Sequence, residues 1–256
     1  MILRRIAEHV RTQNWTAIAL DFVIVVVGVF MGIQLGNWNE ARALKAQERS
    51  YLVLLHEELL ENAERSALLL DYYTTVTDAG NRALAYLKGS EECEVDCEGL
   101  LIDFFHASQV WAIAFEQTAF REAIELGFPS ENALRDKLFA TYNFTDSFGF
   151  INQASPPFRE TIREYIEPDA ARILWSGCWE VDEAGVSERL MRSCADQLKA
   201  VDSAGMLQEI KSDPRLKGML RYSLTQNYVA MQNYPTMRDR TMATANLVAA
   251  EIETVR

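Results

Sequence analysis

The longest apolar stretch of the chain lies near its N-terminus. Across the twenty residues 16–35 the only ionisable side chain is Asp21, and residues 22–33 are apolar without interruption. Twenty residues in a helix extend about 30 Å, which is the thickness of the hydrocarbon core of a bilayer. The pattern predicts a helix that crosses a membrane and is surrounded by lipid.

Two tryptophans mark the ends of this stretch. Trp15 and Trp38 lie where interfacial aromatic residues are usually found, so the predicted transmembrane helix covers residues 15–38. A buried core helix is one alternative. A cleaved signal peptide is another, since residues 41–43 (Ala-Arg-Ala) have the small-x-small form of a cleavage site. The length of the apolar run and the bulky polar residues before that site favour the membrane span.

Beyond the span, apolar residues recur at helical spacing almost to the C-terminus. Residues 39–73 contain no proline or glycine and are able to continue the span as one helix, and Pro235 predicts either a kink or a break in the last segment. No strand-like alternation of useful length occurs. The sequence predicts a mainly α fold, with one transmembrane helix followed by a helical bundle over residues 39–256. The predicted solvated face of the helix over residues 39–73 consists of Glu57, Glu58, Glu61 and Glu64. The further helical segments are 76–88, 98–126, 130–150, 156–175, 186–210 and 214–254.

The charge of the chain is uneven. Its net charge is −12, but residues 1–37 carry three arginines against two acids, or +1, which leaves −13 for the rest. An acidic domain repels nucleic acids, so we expect no nucleic-acid partner. Residues 1–14 place apolar and basic positions on different helical faces and predict an amphipathic segment on the cytoplasmic headgroup layer.

The four cysteines form two close pairs in sequence. Cys93 and Cys97 flank a short acidic loop, and Cys178 and Cys194 close a stretch of seventeen residues. This spacing favours two local disulfides in an oxidising compartment, with a four-thiolate zinc site and free thiols as alternatives. The N-terminal arginines favour a cytoplasmic N-terminus, although basic residues also follow the span. Together these features predict a bacterial inner-membrane protein with a periplasmic domain.

One face of the predicted transmembrane helix carries an acid and three glycines. At 100° per residue Gly28 and Gly32 lie within about 20° of Asp21, and Gly36 lies within about 60°. Glycines four apart allow two helices to approach closely, and an acid in a span normally faces a partner or a water-filled path. We therefore expect association with another membrane subunit or with a second copy. Ordinary glycine content, and an Asp21 side chain that reaches the headgroups, are the simpler alternatives.

No catalytic template is present in the sequence. His9, His56 and His106 are isolated, and neither a nucleophile motif nor a phosphate or dinucleotide loop occurs. We expect no enzymatic activity, no catalytic residue, no bound metal and no cofactor.

The residues around the span support a resemblance. Residues 21–40, which run from Asp21 through Gly28 and Gly32 to Gln-x-x-Asn-Trp-Asn-Glu, resemble the N-terminal signature of a large group of uncharacterised bacterial membrane proteins, a domain-of-unknown-function family. The resemblance implies a membrane anchor and a role for Asp21, but no activity. A weaker similarity, in topology and in the position of the aspartate, is to the rod-like subunits of proton-driven inner-membrane motors.

These features favour an accessory or scaffold protein that associates through its transmembrane helix and contacts partners with its helical domain. A proton-coupled subunit that uses Asp21 is the first alternative. A periplasmic ligand-binding sensor is the second.

Overall fold

The computed structural model describes residues 15–111, 113–152, 156–182 and 187–255. The amphipathic segment expected at 1–14 lies outside this part of the chain. The structure is a long helical assembly with one small hairpin, and the mainly α fold with an N-terminal apolar helix is confirmed. The elements are α1 (Trp15–Lys88), α2 (Cys97–Ala107), α3 (Thr118–Glu125), α4 (Asn132–Asn152), α5 (Pro157–Glu164), α6 (Pro168–Gly177), β1 (Trp179–Val181), β2 (Glu188–Leu190), α7 (Ala195–Leu198), α8 (Ser203–Ser212) and α9 (Leu216–Thr254).

Helix α1 is 74 residues long, about 110 Å at helical rise. It joins the predicted span and the first two helical segments into one element, because no glycine or proline occurs between Gly36 and Gly80. The first buried residue along its described side chains is Glu48. Helix α1 therefore enters the folded domain only after residue 47.

Helix α9 packs antiparallel along the domain part of α1. Leu52, Leu55 and Leu59 share a buried cluster with Ala245 and Val248 at the end of α9. At the opposite end, Ala83 and Leu84 of α1 lie in one cluster with the first turns of α9. The two helices thus form the axis of the domain, and the shorter helices cover it. Between these ends, a third buried cluster contains Leu69, Tyr72, Tyr73, Val76, Trp111, Ala230 and Tyr234.

Pro235 lies inside α9, which continues from Leu216 to Thr254. The predicted alternative of a break at this residue is therefore wrong. Two antiparallel helices that bury a common apolar face keep α9 continuous although proline supplies no backbone N–H group.

The helix predicted over residues 98–126 is interrupted in the structure. Between Ala107 and Thr118 the backbone is bound by side chains of α1 instead: Asn62 Nδ2 donates to Glu116 O at 2.8 Å, and Glu116 N donates to Asn62 Oδ1 at 2.8 Å. Arg65 also donates to Ala114 O at 2.6 Å. These side-chain bonds satisfy backbone groups that a helix would have paired internally.

Glu58 is buried, so its assignment to the solvated face of α1 is wrong. Its carboxylate accepts hydrogen bonds from Ala119 N at 2.7 Å, from Phe120 N at 3.2 Å and from the Tyr142 hydroxyl. Two of these donors are backbone N–H groups in the first turn of α3, where a carboxylate is favourable. The other three glutamates of the predicted face, Glu57, Glu61 and Glu64, are exposed.

Two predicted helical segments contain other structure. The segment 156–175 is divided into α5 and α6, and within 186–210 the chain forms strand β2 before α7 and α8. Strands β1 and β2 pair antiparallel, with Trp179 opposite Leu190 and Val181 opposite Glu188. Strands of three residues carry too few positions for an alternating pattern to be visible in the sequence.

Candidate functional site

The membrane-proximal part of α1, residues 19–47, has no contact that buries it. Every residue in this part is exposed, and Phe22 and Leu35 keep 69% and 65% of their surfaces accessible. It is the one helix among the described residues that is long and apolar enough to cross a membrane. A continuous apolar surface of this length needs an apolar environment, which the protein itself does not supply.

The predicted glycine face is open in the structure. A Cβ atom added at Gly28, Gly32 or Gly36 would meet no atom within 4 Å. Asp21 is exposed, and its carboxylate has no hydrogen bond or ion pair within the described part of the chain. Helical geometry brings these four residues onto one face, and no other element in the described ranges covers that face.

Trp38 lies at the end of the apolar stretch, as the sequence predicts, and 62% of its surface is exposed. The Arg42 guanidinium lies over its ring, 5.6 Å from the ring centroid. Such a pair of an aromatic ring and a cation is suited to the interface between hydrocarbon and headgroups. The side chain of the other predicted anchor, Trp15, lies outside the described residues.

A groove lies on α1 directly beyond Trp38. The last turn of the chain forms one wall of this groove through Val255, which the sequence could not indicate because the contact joins residues more than 200 positions apart. Four of its lining residues are apolar and three are basic. We call it the basic groove; its lining residues are Trp38, Ala41, Arg42, Lys45, Ala46, Arg49 and Val255.

The cysteines are paired as nearest neighbours. Cys93 and Cys97 lie 5.7 Å apart between Cα atoms and Cys178 and Cys194 lie 5.3 Å apart, and both pairs are at disulfide-bond distance. The pairing predicted from spacing is thus the one that the structure has. Among the described residues no group of three or more His, Cys, Asp or Glu side chains is arranged to hold a metal ion.

His106 is buried beside the second disulfide. Its Nε2 atom lies 3.1 Å from Cys178 O, and since a carbonyl oxygen only accepts, Nε2 carries the proton in this contact. Burial lowers the pKa of His106 to about 4, although this hydrogen bond acts in the opposite direction. The imidazole is therefore neutral at pH 7. His106 is isolated in the sequence. Its contact with Cys178 joins residues 72 positions apart, so local spacing could not indicate it.

Comparisons of the chain with protein-family models, with curated proteins and with solved structures found no match. The resemblance of residues 21–40 to a family of bacterial membrane proteins stays a prediction.

Proposed function

We propose that this chain is a non-enzymatic, single-pass membrane scaffold that associates through the glycine face of its span and holds a helical partner-binding domain close to the bilayer. The observation that carries the proposal is the continuity of α1, which extends without interruption from the apolar stretch into the core of the domain. A flexible linker would leave the domain free to rotate. A continuous helix instead fixes its distance and direction relative to the span.

The distance between membrane and domain is short. Nine residues, 39–47, separate the predicted end of the span from the first buried residue, Glu48, and extend about 14 Å in a helix. The headgroup region adds roughly 5–8 Å on one side of a bilayer, so the first buried residue lies just outside it. The basic groove lies in this interval, where its Lys and Arg side chains are placed to contact anionic headgroups.

We place the chain in the bacterial inner membrane, with a cytoplasmic N-terminus and a periplasmic domain. Two disulfides in the domain support an oxidising compartment, and the arginines before the span support retention of the N-terminus in the cytoplasm. A reporter that is active only in the periplasm should work when fused after Arg256 and fail when fused before Arg4. The reverse activities would contradict this topology.

The experiment that tests the scaffold measures association in membranes. Gly28→Leu and Gly32→Leu should each weaken self-association or co-purification of a partner, because the larger side chains separate the helices. Ala19→Leu is the matched control, since it also replaces a small residue but lies about 160° from Asp21. Equal association of all three variants and the wild type would overturn a role for the glycine face.

A proton-coupled subunit is the second candidate, and the unpaired, exposed carboxylate of Asp21 favours it. Asp21→Asn separates the two functions. A scaffold needs a hydrogen-bonding group and should keep its assembly and its function with Asn, whereas a proton-coupled subunit should assemble and lose activity. Asp21→Leu should impair assembly in both cases. Wild-type assembly of Asp21→Leu would show that Asp21 does not lie at an interface.

A further inference from the structure

Two arginines on α5 lie side by side, and no carboxylate of the described residues is within ion-pair distance of either. Arg159 and Arg163 are four residues apart, so their side chains share one face of the helix, and both are partly buried. Within the described part of the chain neither forms an ion pair. Like charges at this spacing repel each other, so a purely structural role would be met better by one arginine.

Both guanidinium groups converge on the residues that follow α2. Arg159 Nη1 donates to Ser108 O at 2.8 Å and to Gln109 Oε1 at 3.3 Å. Arg163 donates from Nη2 to Gln109 Oε1 at 3.3 Å and from Nε to Ser108 Oγ at 3.4 Å. One neutral amide oxygen therefore lies between two cations, and the other N–H groups of both guanidiniums have no acceptor among the described residues.

Gln109 supplies an independent observation. Its side chain is 3% exposed, and its Nε2 atom has no hydrogen-bond partner in the part of the chain that the structure describes. Rotation of the amide would direct its NH₂ group at two guanidiniums, so the cations hold the oxygen where it is. Buried amide donors are normally satisfied. The Gln109 amide and the two arginines thus present unused donors to an incoming acceptor.

The surroundings of the arginine pair are aromatic. The Arg163 guanidinium lies 5.0 Å from the ring centroid of Trp175 and 5.8 Å from that of Phe105. Trp175 in turn contacts Trp179 edge to face at 5.2 Å. These rings give the positive region apolar walls, which suit a ligand with an apolar or aromatic body.

The local charge is about that of a single cation. Glu188, which acts electrostatically on Arg159, accepts hydrogen bonds from Tyr72 Oη at 3.2 Å and from Trp179 Nε1 at 3.0 Å. Two arginines and one glutamate leave a formal charge of +1. Burial, together with the charge of Arg159, lowers the pKa of Arg163 to about 10, and burial also lowers the pKa of Arg159. For Arg159 the effect of burial outweighs that of Glu188, which raises the pKa, whereas for Arg163 the neighbouring positive charge adds to the effect of burial.

We propose that Arg159, Arg163 and Gln109 form a binding site for a small monoanionic carboxylate carried on an aromatic or apolar body. A carboxylate matches the fork of donors that a guanidinium presents, and a single negative charge matches the local excess better than a phosphate dianion does. The site lies in the helical domain and does not depend on how the span associates.

Benzoate is the probe for the test, titrated into the full chain in detergent micelles at constant ionic strength, with calorimetry and the thermal midpoint as readouts. We expect saturable binding with a Kd of roughly millimolar or tighter. Arg159→Gln and Arg163→Gln should each weaken benzoate binding at least about tenfold, because each removes one of the two guanidinium groups. Arg172→Gln, which removes an exposed guanidinium of α6, should leave it unchanged.

Gln109→Glu tests the site without removing either arginine. The new carboxylate would lie between the two guanidiniums, so this variant should raise the thermal midpoint and abolish benzoate binding. Four results would overturn the proposal: no saturable response of the wild-type chain, equal binding by the Arg159→Gln and Arg172→Gln variants, tighter binding of inorganic phosphate than of benzoate, or a lower thermal midpoint for Gln109→Glu.

Discussion

The two parts of α1 are both rich in apolar residues, yet they use them in opposite ways. Over residues 19–47 every side chain is exposed, and within this part residues 22–33 are apolar on all sides. Over residues 48–88 most apolar side chains lie on the faces that pack against α9 and the shorter helices, and Leu54 and Leu60 are the exposed exceptions among the large ones. The comparison shows that the distribution of apolar residues around a helix, rather than their number, decides which solvent the helix requires.

Polar residues differ between the two parts in the same way. In the domain part, four polar side chains are buried: Glu48 binds Ser130, Glu58 binds the first turn of α3, and Asn62 and Arg65 bind the chain between Ala107 and α3. In the membrane-proximal part, Asp21 has no such partner within the described residues. Buried polar side chains of the first kind position a neighbouring segment, whereas the exposed carboxylate of Asp21 is available for the contact outside the chain that we propose.

The largest difference between the two parts of α1 is expected when a leucine in each is replaced by alanine. Leu55 is completely buried, so Leu55→Ala should lower the free energy of unfolding by about 3 kcal/mol through lost burial and a cavity. Leu35→Ala, at a position that is 65% exposed, should change the free energy of unfolding by no more than about 0.5 kcal/mol. Urea unfolding in detergent, followed by near-UV circular dichroism, measures both. Equal losses would mean that the span is part of the domain core.

A smaller effect is expected when the pH is lowered. The pKa of His106 is about 4 in the folded chain and about 6.5 when unfolded, so between these values the unfolded chain binds more protons and stability falls as pH falls. From pH 7 to pH 5 the loss should be about 2 kcal/mol. The free energy of unfolding of the domain should fall while the helicity of the span is unchanged.

His106→Gln isolates this effect, since an amide is able to donate to Cys178 O but does not titrate. Unfolding free energies of the variant at pH 7 and pH 5 should differ by about 2 kcal/mol less than those of the wild-type chain. If the variant shows the full wild-type dependence, the acid sensitivity has another origin.

The smallest effect concerns the boundary between the two parts. Lys45→Gln in the basic groove should reduce the preference for phosphatidylglycerol over phosphatidylcholine by about 1 kcal/mol, or roughly fivefold. Competition between brominated lipids, read by quenching of tryptophan fluorescence in reconstituted vesicles, measures the preference. Arg221 is exposed on α9, next to the end of α1 that is far from the groove. Arg221→Gln is therefore the control and should have no effect. Equal changes in both variants would argue against headgroup contact at the groove.

The sequence predicts the features of this fold that depend on local pattern. The apolar run at 22–33 and the regular spacing beyond it are sufficient for the candidate membrane helix and the mainly α fold, whereas the continuation of α1 through residues 74–88 was not predicted. The nearest-neighbour pairs Cys93–Cys97 and Cys178–Cys194 also follow from short separations. In each case the interacting residues are close in the chain.

Features that depend on distant contacts are not predictable in this way. Glu58 has the pattern of a solvated residue and is buried because α3, sixty residues later, needs an acceptor at its first turn. The segment before α3 looks helical but is held open by Asn62. The arginine pair of α5 is visible in the sequence, whereas its contact with Gln109 requires the packing of α5 against the end of α2.

The uninterrupted course of α1 sets an angular phase between the glycine face and the domain. Each residue of the stalk at 39–47 contributes about 100° of rotation and 1.5 Å of height. Insertion of seven alanines there would raise the domain by about 10 Å and turn it by only about 20°. Insertion of five would raise it by about 8 Å and turn it by about 140°, away from any partner that the span had oriented. If the span associates as proposed, the number of residues in the stalk determines which side of the domain faces the associated subunit.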